Sequence, residues 1–248
     1  MRKRKVKQTI NRTKRMMVSK TVILPRKEYF WGVTPREGRH NKTNSIAILT
    51  LLRDYLKLGD KEREITRVLN QGIVLVDGKT VKDRRFSVGF MDVITISKTG
   101  ESYRILFDMK GRLVPVKETA GSADKKPVKV TGKHTIAGGK NQLAFHDGQN
   151  MITDRKDVQN GDVILLKLPE KEIVDLFKLQ QGSKVFLTGG RHVGSTATIK
   201  GIEVKESSAR NLVYLEEGYS TVVDYAFPIG NQRSAFHLPV AENDEVAK

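Results

Sequence analysis

Apolar residues recur at helical spacing in one stretch of this chain and at strand spacing in most of the rest. Ile46, Leu49, Leu52 and Leu56, with Ile48, Leu51 and Tyr55 broadening the face, predict a helix with one buried side. Asn44 or Ser45 serves as its N-cap and Gly59 closes it. After Asp60, a suitable cap, a second helix is predicted over 61–70. Ile65, Val68 and Leu69 fall on one side of it and Arg63 and Arg67 towards the other, before Gly72 stops the run. Ile73-Val74-Leu75-Val76 then reads as a strand, Asp77-Gly78-Lys79 as a type I′-like hairpin turn leading to Val81, and Asp92 to Ile96 as a further strand.

From Tyr103 the period falls to two. Tyr103, Ile105 and Phe107 alternate, Lys110-Gly111 turns the chain, and Leu113, Val114 and Val116 return it. Residues 118–129 are polar and broken by Gly and Pro, which reads as a loop within a β region. Strand-like pieces recur at 128–130, 143–145, 151–152 and 163–168, with Gly138-Gly139 and Asp147-Gly148 as turns, a spacing that suits a small barrel or sandwich. Ile173, Val174 and Phe177 predict a short connecting helix over 170–179. A last unit starts at Gly182, with strands at 185–188, 196–199 and 212–215; Gly189, Gly190 and Gly194 imply backbone at positive φ or in close approach.

The fold class expected is therefore α+β, mostly β and multidomain. The divisions are an arm at 1–42, a helix-helix-small-sheet unit at 43–102, a central β domain at 103–179, a small barrel at 180–216 and a C-terminal extension at 217–248. A chain of 248 residues is long enough for several small units.

Charge adds a partner to this outline. Fourteen of the 45 Lys and Arg residues lie in the first 42 positions, opposed only by Glu28 and Glu37, so this segment carries +12 of the net +17. Arg2, Lys3, Arg4, Lys5 and Lys7, followed by Arg12, Lys14, Arg15, Lys20, Arg26, Lys27, Arg36 and Arg39, cannot be buried without anions that the arm itself hardly supplies. Polyphosphate is the densest natural source, and each phosphate neutralised lowers log K by roughly 0.7 to 0.9 per log unit of salt. Nucleic acid is the predicted partner; a solvated basic tail or a nuclear-localisation run is the plainer alternative. Fully extended, such an arm reaches on the order of 140 Å.

Arg53, Arg67, Lys79, Lys82, Arg84 and Arg85, with Arg63, punctuate the helical unit and are expected to form one basic face that tracks phosphates. Arg191 and His192 are expected at the tip of a hairpin, projecting outward, where they can enter a wide RNA minor groove or simply sit in an exposed loop. Tyr29, Phe30 and Trp31 can stack on exposed bases, but the preferred reading packs them onto the chain's own domain.

Other chemistry finds no motif. With no cysteine, disulfides and thiolate metal sites are excluded, which fits a reducing cytoplasmic compartment. His40, His134, His146, His192 and His237 are scattered without metal-ligand spacing, so no metal or other cofactor is expected. No phosphate-binding loop, nucleophile elbow or dinucleotide fingerprint is visible, so neither catalysis nor a small-molecule substrate is expected. The Asp-Gly pairs at 77 and 147 are explained by their turns. Neither a bilayer span, a secretory signal nor a wide apolar face for a membrane surface is expected.

Several segments resemble, in the same order, the archaeal and eukaryotic small-subunit ribosomal protein four family, the "S-four-e" proteins. They are Leu51-Leu52-Arg53-Asp54-Tyr55-Leu56, Val74-Leu75-Val76-Asp77-Gly78-Lys79, Val88-Gly89-Phe90-Met91-Asp92-Val93-Ile94, Lys110-Gly111-Arg112-Leu113-Val114, Leu143-Ala144-Phe145-His146-Asp147-Gly148, Gly161-Asp162-Val163 and Thr188-Gly189-Gly190-Arg191-His192-Val193-Gly194. The resemblance implies a basic arm, an RNA-binding helix-helix-sheet domain, a central β domain and a KOW-type barrel from Gly182. It also implies a non-enzymatic role on small-subunit, 16S-type rRNA among neighbouring small-subunit ribosomal proteins. The KOW-type pattern commonly has Gly where Ala197 stands. An RNA-modifying enzyme and a KOW-containing transcription elongation factor are the competing classes.

Overall fold

Hydrogen bonding sorts the alternating stretches into three five-stranded antiparallel sheets and two short ribbons among the described residues. The computed structural model describes residues 12–118, 121–136, 138–206, 209–231, 236 and 238; Arg2, Lys3, Arg4, Lys5, Lys7 and His237 lie outside them. No helix among the described residues is long and apolar enough to cross a membrane.

The first sheet runs in the order Lys79–Thr80, Val74–Val76, Val93–Ile96, Glu101–Phe107, Leu113–Lys117. Asp77 and Gly78 both take positive φ, 51° and 74°, as a type I′ turn requires. Glu101–Phe107 crosses positions 102 and 103, where the sequence pattern places a boundary, because the chain turns at Gly100 and pairs back onto Val93–Ile96. Period within a strand reveals its faces and not its partner.

Three elements differ from their sequence pattern; one is the polar stretch 118–129, read as a loop, whose residues 125–129 pair with Val163–Lys167 as the start of the strand Lys125–Thr135. Ser45–Ala47, expected to open the first helix, is a strand paired with Ser87–Gly89, and the helical segment starts only at Ile48, widening into π turns over Leu51–Tyr55. Residues 45–52 are all buried or nearly so; with apolar neighbours on every side, strand pairing satisfies the Ser45–Ala47 backbone as well as a helix would. Residues 170–179 hold a strand, Glu172–Phe177, and not a helix, because Val163–Lys167 presents a free edge beside them. The second helix, Glu62–Asn70, forms as expected. Its start is held by the Glu64 carboxylate, which accepts the backbone N–H groups of Asp60 (3.0 Å) and Lys61 (3.2 Å).

The central sheet runs Asn150–Thr153, Asn141–Phe145, Lys125–Thr135, Val163–Lys167, Glu172–Phe177, and the last sheet Ser220–Val222, Leu212–Leu215, Thr196–Glu203, Lys184–Leu187, Ala226–Gly230. Ala226–Gly230 is buried throughout, so the last sheet continues past residue 216 into the segment expected to be an extension. Ala197, where the KOW-type pattern has Gly, faces the core of this sheet with Val185, Ile199 and Val213.

The three sheets converge on Phe90. Its ring stacks on Phe186 (5.5 Å, 19°) and meets Phe107 and Phe227, each at 5.1 Å. One continuous core therefore extends from Leu49 and Ile65 to Phe177, Phe186 and Ile229, with smaller cores inside the central and last sheets.

Candidate nucleic-acid interface

The helix Glu62–Asn70 divides its side chains by charge. Ile65 and Leu69 are fully buried, whereas Arg63 and Arg67 stand on the opposite, exposed side. Arg63, Thr66, Arg67, Asn70 and Gln71 line, with Glu62 and Arg84, a shallow groove of about 550 Å³. Arg84 pairs with Glu62, but the side chains of Arg63 and Arg67 make no hydrogen bond or ion pair among the described residues. Two guanidinium groups at helical spacing on a rigid element, neither held in an ion pair although Arg67 lies within the field of Glu64, are available to phosphates.

The other predicted cations separate into those used internally and those left free. Arg53 binds Asp54 in bidentate fashion (3.1 and 2.8 Å), and Arg85 donates to the Thr34 carbonyl (3.1 Å). Lys79 lies by the Asp77-Gly78 turn, close enough to Lys171 to lower that ammonium's pKa in addition to the larger effect of burial, and so is outside the groove. Lys82 is exposed. Arg191 and His192 are exposed, but the His192 ring stacks on Tyr219 at 4.0 Å. Their loop is pinned by buried Val193 and by Gly194 (φ 81°), where a Cβ would stand 2.8 Å from the Asp108 carbonyl carbon.

The arm is not extended where it is described. Arg12–Lys14 pairs with Trp31–Val33 as a ribbon. Arg15 is buried and donates to the carbonyls of Trp31 (3.2 Å) and Pro25 (2.8 Å), while Arg26 donates to those of Val18 (2.9 Å) and Ser19 (3.1 Å). These two arginines close the arm's own turns. Arg36 pairs with Asp83 at 2.9 Å on the surface. The side chains of Arg12, Lys20 and Lys27 are exposed and free of hydrogen bonds and ion pairs among the described residues. The aromatic cluster does not pack onto the domain as preferred from sequence: Tyr29 is 66%, Phe30 61% and Trp31 50% exposed.

Beneath this surface lies a buried ionic cluster that sequence reasoning missed. The Lys126 ammonium donates to Asp77 (2.8 Å), Asp92 (2.5 Å) and Asp147 (3.0 Å); Arg39 adds a bond to Asp77 (2.7 Å) and His40 one to Asp92 (2.8 Å). Burial alone would raise the Asp92 carboxyl, but His40, Lys126 and Arg39 hold it well below the ordinary carboxylate range. Asp147, likewise raised by burial, is brought down by Lys126, His146 and the Gln149 amide. Burial opposes the Lys126 charge, yet the three aspartates together raise its pKa. Three carboxylates this close are a donor set for a cation, and the cation is the chain's own lysine. The cluster ties the arm (Arg39, His40), the first sheet (Asp77, Asp92) and the central sheet (Lys126, Asp147) together. Arg104 makes a second tie, binding Glu118 and the carbonyls of Ser122 (2.9 Å) and Lys125 (2.8 Å). The missed signal is parity: Lys126 shares its strand face with Val128 and Val130, a charged residue at a core-facing position.

Among the described residues, paired charges inside and unpaired cations outside make a basic, multi-sheet scaffold, and comparison with known proteins gives its family. The model of ribosomal family S4e matches residues 99–173. The small ribosomal subunit protein eS4 of Thermoplasma volcanium is 52% identical over 233 residues, covering 94% of this chain and 98% of the relative. That of Archaeoglobus fulgidus is 45% identical over 224 residues, covering 89% and 94%. The crystal structure of the 30S ribosomal protein S4e from Thermoplasma acidophilum superposes with a TM-score of 0.71 at 46% identity, covering 78% of this chain and 99% of that one. The chain belongs to the S4e family of ribosomal proteins, structural components and not enzymes. The RNA-modifying alternative is thereby set aside.

Proposed function

We propose that this protein is a structural constituent of the small ribosomal subunit in the cytoplasm, binding 16S-type rRNA through its arm and the outer face of Glu62–Asn70, beside neighbouring small-subunit proteins. The observation that carries this reading is the pair Arg63 and Arg67, whose side chains have no hydrogen-bond or ion-pair partner among the described residues, on a helix that buries Ile65 and Leu69 fully. Buried ion pairs keep the scaffold rigid while surface cations neutralise phosphate, allowing RNA backbones to approach one another. Arg12, Lys14, Lys20, Lys27, Lys82 and Arg191 extend the basic surface. Arg2, Lys3, Arg4, Lys5 and Lys7 lead the chain with five further cations.

The test is co-sedimentation on sucrose gradients at low and high salt. The protein is expected with small-subunit particles at low salt and released as salt rises. Migration with RNA polymerase, or no association with the small subunit at either salt, would reject the reading.

A further inference from the structure

Among the described residues, the exposed aromatic edge of the arm joins none of the hydrophobic cores, and its setting is unusual. Tyr29, Phe30 and Trp31 are consecutive, and Met16 and Met17 on the neighbouring turn are 64% and 75% exposed. Apolar surface of this kind left in water marks a contact site. Its surroundings select the kind of contact. Lys14 Nζ lies 5.2 Å from the Phe30 ring centroid, and the Arg15 guanidinium lies 4.8 Å from that of Tyr29. Lys14 also stands opposite Trp31 in the ribbon register, and Lys27 is two residues before Tyr29. Glu28 is the only acidic residue between positions 12 and 36. A protein surface docking here would have to bring both apolar area and several carboxylates, whereas a looped-out nucleotide brings a flat apolar base and its own phosphate together.

Building on the proposed RNA binding, we infer that Tyr29, Phe30 and Trp31 form a stacking platform for unpaired bases, with Lys14 and Lys27 beside it receiving the adjoining phosphates. The Phe30 and Trp31 rings stand edge to face, 84° apart at 4.7 Å, so a base stacks on one ring face at a time and the pair does not close on itself. A duplex hides its base faces and is excluded from this contact, although it can still engage the helix Glu62–Asn70.

Trp31 is the only tryptophan of the chain, so its emission reports on this edge alone. The full-length protein is titrated with a short oligouridylate and with a blunt RNA duplex of equal length, binding being followed separately by anisotropy of labelled RNA. Oligouridylate is expected to quench Trp31 and the duplex to bind without quenching. Tyr29→Ala with Phe30→Ala should weaken oligouridylate binding roughly 5- to 150-fold and leave duplex binding unchanged. Tyr29→Phe with Phe30→Tyr, which keeps both rings, should bind as the parent does. Bound oligouridylate with unchanged emission, or equal binding by the alanine variant, overturns the platform while RNA binding itself stands. Quenching that rises with protein concentration in the absence of RNA marks self-association through this edge and also overturns it. Binding of neither RNA overturns the platform and the proposed function together.

Discussion

Lys126 shows how one residue can hold three segments of chain. Its ammonium is the shared partner of Asp77, Asp92 and Asp147, all buried. Removing it leaves carboxylates without counter-charge, so Lys126→Ala should cost about 3–5 kcal/mol, read from denaturant unfolding. A loss below ~1 kcal/mol would mean that the carboxylates find other partners. The cluster also fixes a pH range. Asp92 and Asp147 have depressed carboxyls, so their contribution is present above the ordinary carboxylate pKa of ~3.9 and is lost as pH falls through the folded values. Lys126 is raised, so its contribution is present below ~10.4 and is lost as pH rises through its folded value.

His146 acts within that range. Burial pushes its imidazole down to about 4 from the ordinary 6.5, and the neutral ring donates to the Phe90 carbonyl (3.3 Å) while accepting from the Lys129 amide (3.1 Å). Between these two values the unfolded chain binds the extra proton, so stability falls as pH drops from about 6.5 to 4, by about 3 kcal/mol. His146→Gln should flatten the stability profile over that interval. An equally steep profile in the variant would place the acid sensitivity elsewhere.

At the scale of elements, the helix Glu62–Asn70 separates stability from binding because its two faces have different neighbours. Among the described residues the side chains of Arg63 and Arg67 make no hydrogen bond or ion pair, and Arg67 acts on the capping Glu64 only through its field. Arg63→Glu with Arg67→Glu should therefore leave the circular dichroism melt within about 0.5 kcal/mol of the parent. The same pair should reduce the slope of log K against log salt for rRNA by roughly 1.4 to 1.8, two contacts' worth. An unchanged slope would remove the helix from the interface; an early melt would make the charges structural. Element identity itself depended on neighbours. The residues 170–179 carry helical spacing at Ile173, Val174 and Phe177, yet the open edge of Val163–Lys167 takes them as a strand.

For the whole molecule, Phe90 is the point at which the three sheets meet. Its contacts with Phe107, Phe186 and Phe227 join the first and last sheets directly, and His146 of the central sheet region lies 6.0 Å from its ring centre. Phe90→Ala should cost about 3–5 kcal/mol and, beyond that loss, split one unfolding transition into separate ones as the sheets lose their common core. A single, merely shifted transition in calorimetry would show that the ionic ties at Lys126 and Arg104 suffice to couple them.

Local order along the chain settled a good deal. The turn at Asp77-Gly78, the helix 62–70, the strands around 93–96, 143–145, 163–167, 185–187 and 212–215 and the basic lead of residues 1–42 all follow from spacing and side-chain type, which act over a few residues; the family was legible separately, through the resemblance of ordered segments. Partnership did not. That Arg15 and Arg26 serve the arm's own carbonyls, that Tyr29, Phe30 and Trp31 face water, and that Lys126 gathers aspartates from two turns and from the residue before strand Val93–Ile96 are consequences of long-range register. A side chain's chemistry is written in the sequence, but whether a cation meets a carbonyl, a carboxylate or solvent depends on which distant segment folding brings against it, and only the packed structure decides that.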